Sequence, residues 1–310
     1  MTPAVRFERP ATDASEARAT LRTVRDLMRW AVTRMNEAGA VFGHGTDDAW
    51  DEAAWLVLWS LRLPPDRLDP VLDARLAAAE VAAALELIER RCRERLPCAY
   101  LTGEAWLRGV RFLSDPRALV PRSPIAELLD SDALDPWLPD ALAVGRVLDL
   151  CTGGGSLAIL AARRYPAAAV VGADLSAEAL ALAADNVALH GLGDHVSLRR
   201  GDLWAAVDDE TFDLIVCNPP YVNAASMASL PAEYLHEPQQ ALGGGADGMD
   251  LVRSIVGGAR ARLEPGGLLV LEIGHEAPRF EAAFPSLEFT YLPTAAGDDQ
   301  LVLLERDALP

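Results

Sequence analysis

The sequence predicts an α/β protein in which a small N-terminal helical domain precedes a mostly parallel, doubly wound sheet. Two observations lead to this class. From Val144 onward, short apolar runs typical of buried strands alternate with segments of helical periodicity, which is the pattern of a parallel sheet covered by helices. Before that point, residues 21–101 have helical periodicity. We therefore expect a helical domain over residues 1–101, a β-hairpin linker over 102–120 and an α/β domain over 121–310.

Three helices are expected in the N-terminal part. The first has apolar residues at helical spacing from Leu21 and ends at Gly39. The second is capped by one of the polar residues 46–48 and stops at about Arg62, before two prolines. The third covers about 72–95 and carries arginines near its end, where cations suit the helix dipole. None of these helices has a catalytic motif of its own.

The linker and the α/β domain follow. Gly103 and Gly109 stand at turn-like points of an alternating segment, which indicates a hairpin. Ser123 is expected to cap the next helix, with Pro124 at its first position. The helix before the fifth strand is expected to end at the Pro-Gly-Gly run 265–267. Strands are expected in segments 146–150, 168–174, 195–200, 212–217 and 268–274, and a closing antiparallel hairpin in segments 287–293 and 300–306.

The balance of charges limits the chemistry and the partners. The net charge is −18, and all 28 basic residues are arginine. Without lysine, a Schiff base and a lysine general base are excluded. Tight, sequence-blind binding to nucleic acid needs a basic surface, which an acidic protein does not favour. The charge therefore indicates a basic or neutral partner, or serves solubility alone.

The sequence has no feature of a membrane protein or of an oxidising compartment. No apolar run reaches the roughly 18 residues of a membrane helix, and the N-terminus lacks the apolar core of a secretory signal. The four cysteines form no C-x-x-C pair. We expect a cytoplasmic protein with no disulfide and no metal site.

The first motif that carries chemistry is a glycine-rich turn after the first strand of the sheet. Residues 153–158 read GGGSLA, which satisfies G-x-G-x-x-A, and Asp174 follows about twenty residues later. Dinucleotides and S-adenosylmethionine both suit this pattern, because glycine lets the backbone approach a ligand that a Cβ would block. Asp149 favours S-adenosylmethionine, since an acid there would lie near the cofactor's ammonium group but would repel a pyrophosphate. Asp174 would then hold the ribose hydroxyls.

Further polar residues stand at the ends of later strands. Asp202 ends the third strand in the run GDLW and can accept a hydrogen bond from the adenine amino group, with Leu203 flanking the ring. Asn218 ends the fourth strand in the run NPPY. Ligands of doubly wound sheets bind at the carboxyl ends of the strands. We therefore expect Asp174, Asp202 and Asn218 around one cleft.

The NPPY run, residues 218–221, suits the transfer of a methyl group to a planar amino group. The lone pair of such a nitrogen is delocalised, so the group must be held with that lone pair along the sulfur–methyl axis. The Asn218 side-chain oxygen and the Pro219 carbonyl can each accept one N–H, and the prolines fix the chain direction. Both acceptors stabilise the positive charge that develops on nitrogen. Tyr221 can pack on the flat group and exclude water.

Together these motifs resemble the class I methyltransferases that modify glutamine side-chain amides in translation proteins. The resemblance covers nearly the whole chain. The release-factor branch usually has an acid- and threonine-containing stretch where this chain has residues 122–125. Four further segments are similar to the branch that acts on large-subunit ribosomal protein three: FGHGTDDAWDEA, RLPCAYLTGEAW, ALVPRSPIAELL, and HEPQQAL followed by GADGMDLVR.

The resemblance implies a Rossmann-like class I methyltransferase fold, S-adenosylmethionine as cofactor and transfer to the N5 nitrogen of a glutamine. It implies that the N-terminal domain recognises the substrate, a basic ribosomal protein, free or newly made. Residues 218–221 would hold the glutamine. The implied cofactor residues are Cys151, Thr152, Gly153, Gly154, Gly155, Asp174, Asp202, Leu203 and Asn218, and the implied catalytic and substrate-binding residues are Asn218, Pro219, Pro220 and Tyr221.

Three other functions remain open from the sequence. The first is glutamine methylation of peptide release factors. The second is methylation of an adenine amino group, which would need a basic cleft and a flipped base, and the acidic charge counts against it. The third is a non-enzymatic ribosome-assembly factor that retains a cofactor pocket, and the intact NPPY run counts against it. A nicotinamide-dependent dehydrogenase is disfavoured, because no histidine or Tyr-x-x-x-Lys proton relay is visible.

Overall fold

The computed structural model describes residues 14–138 and 140–310, which form two compact units. The first unit ends at Thr102, and the second runs from Gly103 to Pro310. Within the described residues, no helix combines the length and the apolar character that a membrane crossing requires.

The first unit is a helical bundle whose core is formed by apolar residues at helical spacing. The helix expected from Leu21 begins at Val24, because Thr23 caps it. The Thr23 hydroxyl accepts a hydrogen bond from the Asp26 N–H, and the Asp26 carboxylate accepts one from the Thr23 N–H. The helices are α1 (Ala14–Thr20), α2 (Val24–Glu37), α3 (Ala49–Ser60), α4 (Ala78–Glu94) and α5 (Cys98–Thr102).

Polar groups order the start of α3 and join it to α4. Asp48 is the residue that caps α3, and its carboxylate accepts hydrogen bonds from the N–H groups of Trp50 and Asp51. Glu52, in the first turn, forms an ion pair with Arg91 of α4, and both side chains are 1% exposed. Burial raises the pKa of the Glu52 carboxyl group. Loss of one partner of such a buried pair is costly, because the other charge stays in the interior.

The start of α4 differs from the sequence expectation. We expected the helix from about residue 72, but it begins at Ala78. The residues before it pair with the chain that leads into α2. The Leu76 N–H donates to the Arg22 carbonyl at 2.8 Å, and the Arg25 N–H donates to the Leu72 carbonyl at 2.8 Å. Backbone groups engaged in this pairing are not available for helical hydrogen bonds, so the helix starts only after it.

The second unit is an α/β domain with a small antiparallel hairpin at its start. Arg108 and Gly109 form the two-residue turn of that hairpin, and both have positive φ. The elements are β1 (Glu104–Leu107), β2 (Val110–Leu113), α6 (Ile125–Leu129), β3 (Arg146–Leu150), α7 (Ser156–Arg164), β4 (Ala169–Asp174), α8 (Ala177–Leu189), β5 (Val196–Arg200), β6 (Phe212–Cys217), α9 (Ala224–Met227), α10 (Asp250–Ala259), β7 (Leu263–Glu272), α11 (Ala277–Ala283), β8 (Thr290–Tyr291) and β9 (Leu301–Glu305).

The large sheet has the strand order β5-β4-β3-β6-β7-β9-β8. Strands β3 to β7 are parallel, whereas β9 runs antiparallel to both β7 and β8. The predicted fold class, with its closing hairpin, is therefore confirmed. Alternate residues enter two apolar layers, with Val147 and Leu214 in one and Leu148 and Ile215 in the other. The carboxyl ends of β3, β4, β6 and β7 meet at one edge, where ligands of such sheets bind.

The start of β7 was predicted wrongly. The Pro-Gly-Gly run 265–267 was expected before the strand, but it lies inside β7, which begins at Leu263. Leu263 pairs with Phe212, and the register then shifts by an irregularity in which Gly266 has φ of +79°. A bulge of this kind absorbs proline and glycine without ending the strand.

Candidate active site

One cleft lies at the carboxyl edge of the sheet, between the turns that follow β3, β4, β5 and β6. The parallel topology brings these turns together, although their motifs are far apart in the sequence. Of the residues predicted to lie at the site, Gly155 and Asp149 are outside its described lining. The predicted residues that line the cleft are Cys151, Thr152, Gly153, Gly154, Asp174, Asp202, Leu203, Asn218, Pro219, Pro220 and Tyr221.

The glycine-rich turn after β3 adopts left-handed backbone conformations. The φ angle is +62° at Cys151, +54° at Gly153 and +82° at Gly155, and glycine takes such angles at little cost. Gly155 stands at the start of α7, where an added Cβ would lie 3.0 Å from the Cβ of Ala183 in α8. The missing side chain at Gly155 therefore permits close packing of α7 on α8.

Asp149 lies beneath this turn and does not face the cleft. Its side chain is fully buried and outside the cleft lining, so it is not exposed to a ligand in the cleft. Oδ2 accepts hydrogen bonds from the Thr152 hydroxyl at 2.5 Å and from the Ala158 N–H at 2.8 Å, while Oδ1 has no partner among the described residues. Burial raises the pKa of Asp149 to about 7. Asp149 thus holds the shape of the turn.

Asp174 ends β4 and faces the same turn. Its Oδ2 accepts a hydrogen bond from the Gly153 N–H at 2.9 Å, and its Oδ1 accepts one from the Ser176 N–H at 2.8 Å. Each carboxylate oxygen can accept further hydrogen bonds, so a ligand can still bind here. The neighbouring Leu175 is 60% exposed and lines the cleft. Sequence reasoning missed Leu175, although its position directly after a predicted ligand residue could have indicated it.

Asp202 and Leu203 follow β5 on the same edge. The chain turns sharply here. The turn brings Gly201 so close to Ala206 that an added Cβ on Gly201 would lie 2.6 Å from the Ala206 Cα, and Leu203 has φ of +46°. This turn brings Asp202 and Leu203 into the cleft lining. With Leu175, they offer apolar surface beside a hydrogen-bond acceptor, which suits a purine ring with an amino group.

The NPPY turn follows β6. Asn218 is half-buried in the cleft lining, and its side-chain amide has no hydrogen-bond partner among the described residues. The amide can therefore bind a ligand without losing an internal contact. Glycines of the GGGADG segment, residues 243–248, support the turn: an added Cβ on Gly244 would lie 2.7 Å from the Pro220 carbonyl oxygen, and one on Gly248 would collide with the carbonyl oxygen of Tyr221.

A buried glutamate at the end of β7 is the main site residue that sequence reasoning missed. Glu272 lines the cleft and is 5% exposed. Its Oε1 accepts a hydrogen bond from the Tyr221 hydroxyl at 2.8 Å, and its Oε2 accepts one from the Ser123 hydroxyl at 2.5 Å. Burial raises the pKa of the Glu272 carboxyl group. An acid within the otherwise apolar segment 268–274, close to the strand end where the other motifs lie, was the available signal.

Ser123 and Pro124 differ from their expected roles at the start of α6. The Ser123 oxygen does accept a hydrogen bond from the Ile125 N–H at 3.3 Å, but Pro124 occupies the cap position, not the first helical position. The Ser123 hydroxyl hydrogen is directed to Glu272. Tertiary packing thus gives Ser123 a partner within the cleft.

An ion pair lies beside the cleft next to Ser123. Arg122 binds Glu237 through both guanidinium nitrogens, at 2.5 and 2.8 Å, and the Val120 N–H donates to the same carboxylate at 3.0 Å. Glu237 lies in the HEPQQAL segment, of which Pro238 and Leu242 line the cleft. Bidentate pairs of this kind fix geometry as well as charge. The pair therefore joins the two sequence segments that form this wall.

The site fits S-adenosylmethionine. Asp174 has lone pairs for ribose hydroxyls, Leu175 and Leu203 offer apolar surface near Asp202, and the turn after β3 presents backbone without bulky side chains. A parallel sheet that ends in an antiparallel hairpin, with such a cleft at its carboxyl edge, defines a class I S-adenosylmethionine-dependent methyltransferase.

Comparison with known proteins narrows the class to a family. The family model described as methyltransferase small domain matches residues 130–246. Similar proteins named ribosomal protein uL3 glutamine methyltransferase are found in Bordetella pertussis (59% identity over 94% of this chain and 98% of that protein), Burkholderia pseudomallei (54%, 93% and 96%) and Neisseria gonorrhoeae (49%, 95% and 98%). The chain belongs to this family of ribosomal protein glutamine methyltransferases, and its cofactor is S-adenosylmethionine.

Proposed function

We propose that the protein transfers a methyl group from S-adenosylmethionine to the N5 nitrogen of a glutamine side chain in ribosomal protein uL3. The observation that carries the proposal is Asn218, whose amide lies in the cleft with no hydrogen-bond partner among the described residues. The near full-length similarity to uL3 glutamine methyltransferases supports the choice of substrate.

The NPPY turn supplies the groups that this chemistry needs. A glutamine amide is a weak nucleophile, because its nitrogen lone pair is delocalised into the carbonyl group. Asn218 Oδ1 accepts one N–H of the amide and the Pro219 carbonyl accepts the other, so that the nitrogen is held in one orientation. When bound, S-adenosylmethionine supplies a sulfonium methyl group, and the overall transfer yields S-adenosylhomocysteine, the methylated amide and one released proton. Both acceptors bind more strongly as positive charge develops on nitrogen, and Tyr221 packs on the amide and excludes water.

Free or newly made uL3 is the proposed form of the substrate. The net charge of −18 attracts a basic ribosomal protein. The same charge repels an assembled ribosome, whose surface is largely RNA phosphate. Activity should fall as salt rises, because exposed charges are screened within about 10 Å at 0.1 M ionic strength.

The helical unit is proposed to recognise the substrate protein. It exposes Trp50 at the start of α3, with 54% of the residue accessible, and tryptophan is enriched among the anchors of protein interfaces. Trp50→Ala should raise the KM for uL3 at least roughly fivefold while the Kd for the cofactor stays unchanged. Trp59→Ala is the matched control, because Trp59 lies on the opposite side of the same helix. An equal effect of both variants would argue against a specific contact at Trp50.

The test of the function is a parallel assay on three substrates: free uL3, mature large ribosomal subunits and a peptide release factor. Methyl-labelled S-adenosylmethionine and mass spectrometry identify the modified residue. We expect methylation of a glutamine in free uL3 and little in mature subunits. Preferential modification of the release factor would assign the protein to that substrate. Preferential modification of mature subunits would remove the electrostatic reasoning and leave the chemistry at Asn218 intact.

A further inference from the structure

Glu272 has no part in the chemistry described so far, although it is buried beside it. It ends β7, one residue after the pair Leu271 and Cys217. Cys217 is the last residue of β6, and the NPPY turn follows directly. The carboxyl group of Glu272 therefore lies next to the point where the substrate-holding turn leaves the sheet.

The two carboxyl oxygens of Glu272 bind partners on two different walls of the cleft. Oε1 accepts from the Tyr221 hydroxyl at 2.8 Å, and Oε2 accepts from the Ser123 hydroxyl at 2.5 Å. An ionised carboxylate can accept both hydrogen bonds at once, since each partner brings a hydroxyl hydrogen. Arg122, the cation that favours this charge, is held in its own pair with Glu237. Glu272 thus connects the NPPY turn to the segment before α6.

The ring of Tyr221 is confined on a second side by the chain just beyond β7. Gly274 has φ of +53°, and an added Cβ there would lie 2.5 Å from the Tyr221 ring. The ring therefore packs directly on the Gly274 backbone while its hydroxyl is bound by Glu272. Together the two contacts restrict the orientation of the Tyr221 ring. Residues 272–274 act as a template for the tyrosine that we propose packs on the substrate amide.

We propose that Glu272 is a positioning residue for methyl transfer, acting through Tyr221 and Ser123 to fix the two walls between which the glutamine amide is held. This inference rests on the proposed function of the NPPY turn. Glu272 itself forms no bond to the substrate and takes no proton. Its effect on rate comes from geometry, because a misplacement of about 1 Å at a reacting group can cost on the order of a hundredfold in rate.

Three substitutions separate position from charge. Glu272→Ala removes both acceptors and should lower kcat for uL3 by roughly thirtyfold or more, while the KM for uL3 stays within about threefold. Glu272→Gln can keep both contacts, because its carbonyl accepts from Tyr221 and its amino group donates to the Ser123 oxygen; kcat should stay within about fivefold of the wild type. Tyr221→Phe removes the hydrogen bond between Tyr221 and Glu272 by deleting its donor instead of its acceptor. The Glu272→Ala/Tyr221→Phe double variant should be little worse than Glu272→Ala alone.

A second measurement needs neither substrate nor cofactor. In protein labelled with [ζ-¹³C]tyrosine, the Tyr221 signal is assigned by its loss in Tyr221→Phe. We expect that signal to move in Glu272→Ala and to stay near its wild-type position in Glu272→Gln. If Glu272→Ala does not fold, Tyr221→Phe still tests the kcat effect from the other partner.

The outcomes distinguish this inference from the function on which it rests. If the wild-type protein does not methylate uL3, the proposed function fails, whatever the tyrosine signal does. If the wild type is active but Glu272→Ala keeps wild-type kcat, or the two losses multiply independently in the double variant, Glu272 is not a positioning residue. If Glu272→Gln is as slow as Glu272→Ala with an unmoved tyrosine signal, charge and not position is the cause, and the inference is also overturned.

Discussion

Replacement of Asn218 by alanine tests the centre of the proposed mechanism. The Asn218 side chain has no hydrogen-bond partner among the described residues and is only half-buried. Its loss breaks no internal contact, so the free energy of unfolding should change by no more than about 0.5 kcal/mol. In the reaction it supplies one of two acceptors aimed at a developing charge. Loss of one such group typically costs about 2.7–4 kcal/mol in the transition state, which is a roughly 10²- to 10³-fold fall in kcat.

The assay combines three measurements on Asn218→Ala: methyl transfer to uL3, calorimetric binding of S-adenosylmethionine and urea unfolding. We expect a large fall in kcat, a Kd for the cofactor within about fivefold of the wild type, and unchanged unfolding. Asn186→Ala is the contrasting variant, because the Asn186 amide binds both backbone groups of Leu113 and the Gly154 carbonyl. It should lower stability by about 1–3 kcal/mol for the buried groups it leaves unpaired. A kcat above one-third of the wild-type value in Asn218→Ala would refute the role of the side chain.

Three further predictions concern the groups around the cleft and the helical unit. Asp174→Ala should weaken cofactor binding by roughly 1.5–3 kcal/mol in calorimetry, the range for hydrogen bonds to a charged group; an unchanged Kd would exclude Asp174 as a ribose ligand. The pKa of Asp149 is about 7 in the folded protein against 3.8 for an ordinary aspartate, so the folded state holds the extra proton and the contribution of Asp149 to stability should fall as pH rises from about 4 to 7. Asp149→Asn should remove this contribution, which can be measured as the free energy of urea unfolding at each pH from about 4 to 7. An unaltered dependence of that free energy on pH would contradict the assignment. Glu52→Ala should lower the free energy of unfolding by about 3–5 kcal/mol, because it leaves the charge of Arg91 buried without its carboxylate; a loss below about 1 kcal/mol would show that the pair is dispensable.

The elements that were predicted correctly are those whose cause is local. The spacing of apolar residues in α2 and the buried runs of β3, β4 and β6 each report one face or one layer of the fold. The gathering of Asp174, Asp202 and Asn218 was also predictable. Parallel strands end at one edge, so a polar residue after each strand must meet the others there.

Predictions from local sequence patterns were wrong where another segment binds the same backbone or side-chain polar groups. Backbone pairing with the chain before α2 delayed the start of α4 to Ala78. Asp149 was expected to face a ligand, yet the Thr152 hydroxyl and the Ala158 N–H direct it beneath the turn. A bulge absorbed the Pro-Gly-Gly run 265–267 within β7.

The sequence alone determined the fold class and the position of Asp174, Asp202 and Asn218 at one cleft, because each depends on the period of a segment or on the position of a residue at a strand end. Only the tertiary structure decided which buried polar groups meet. Glu272 joins Ser123, 149 residues away, to Tyr221, 51 residues away. Neither distance along the chain follows from periodicity. The partner of a buried carboxyl group is set by which donors the packed elements bring within hydrogen-bonding distance, and that is a property of the assembled sheet and its turns.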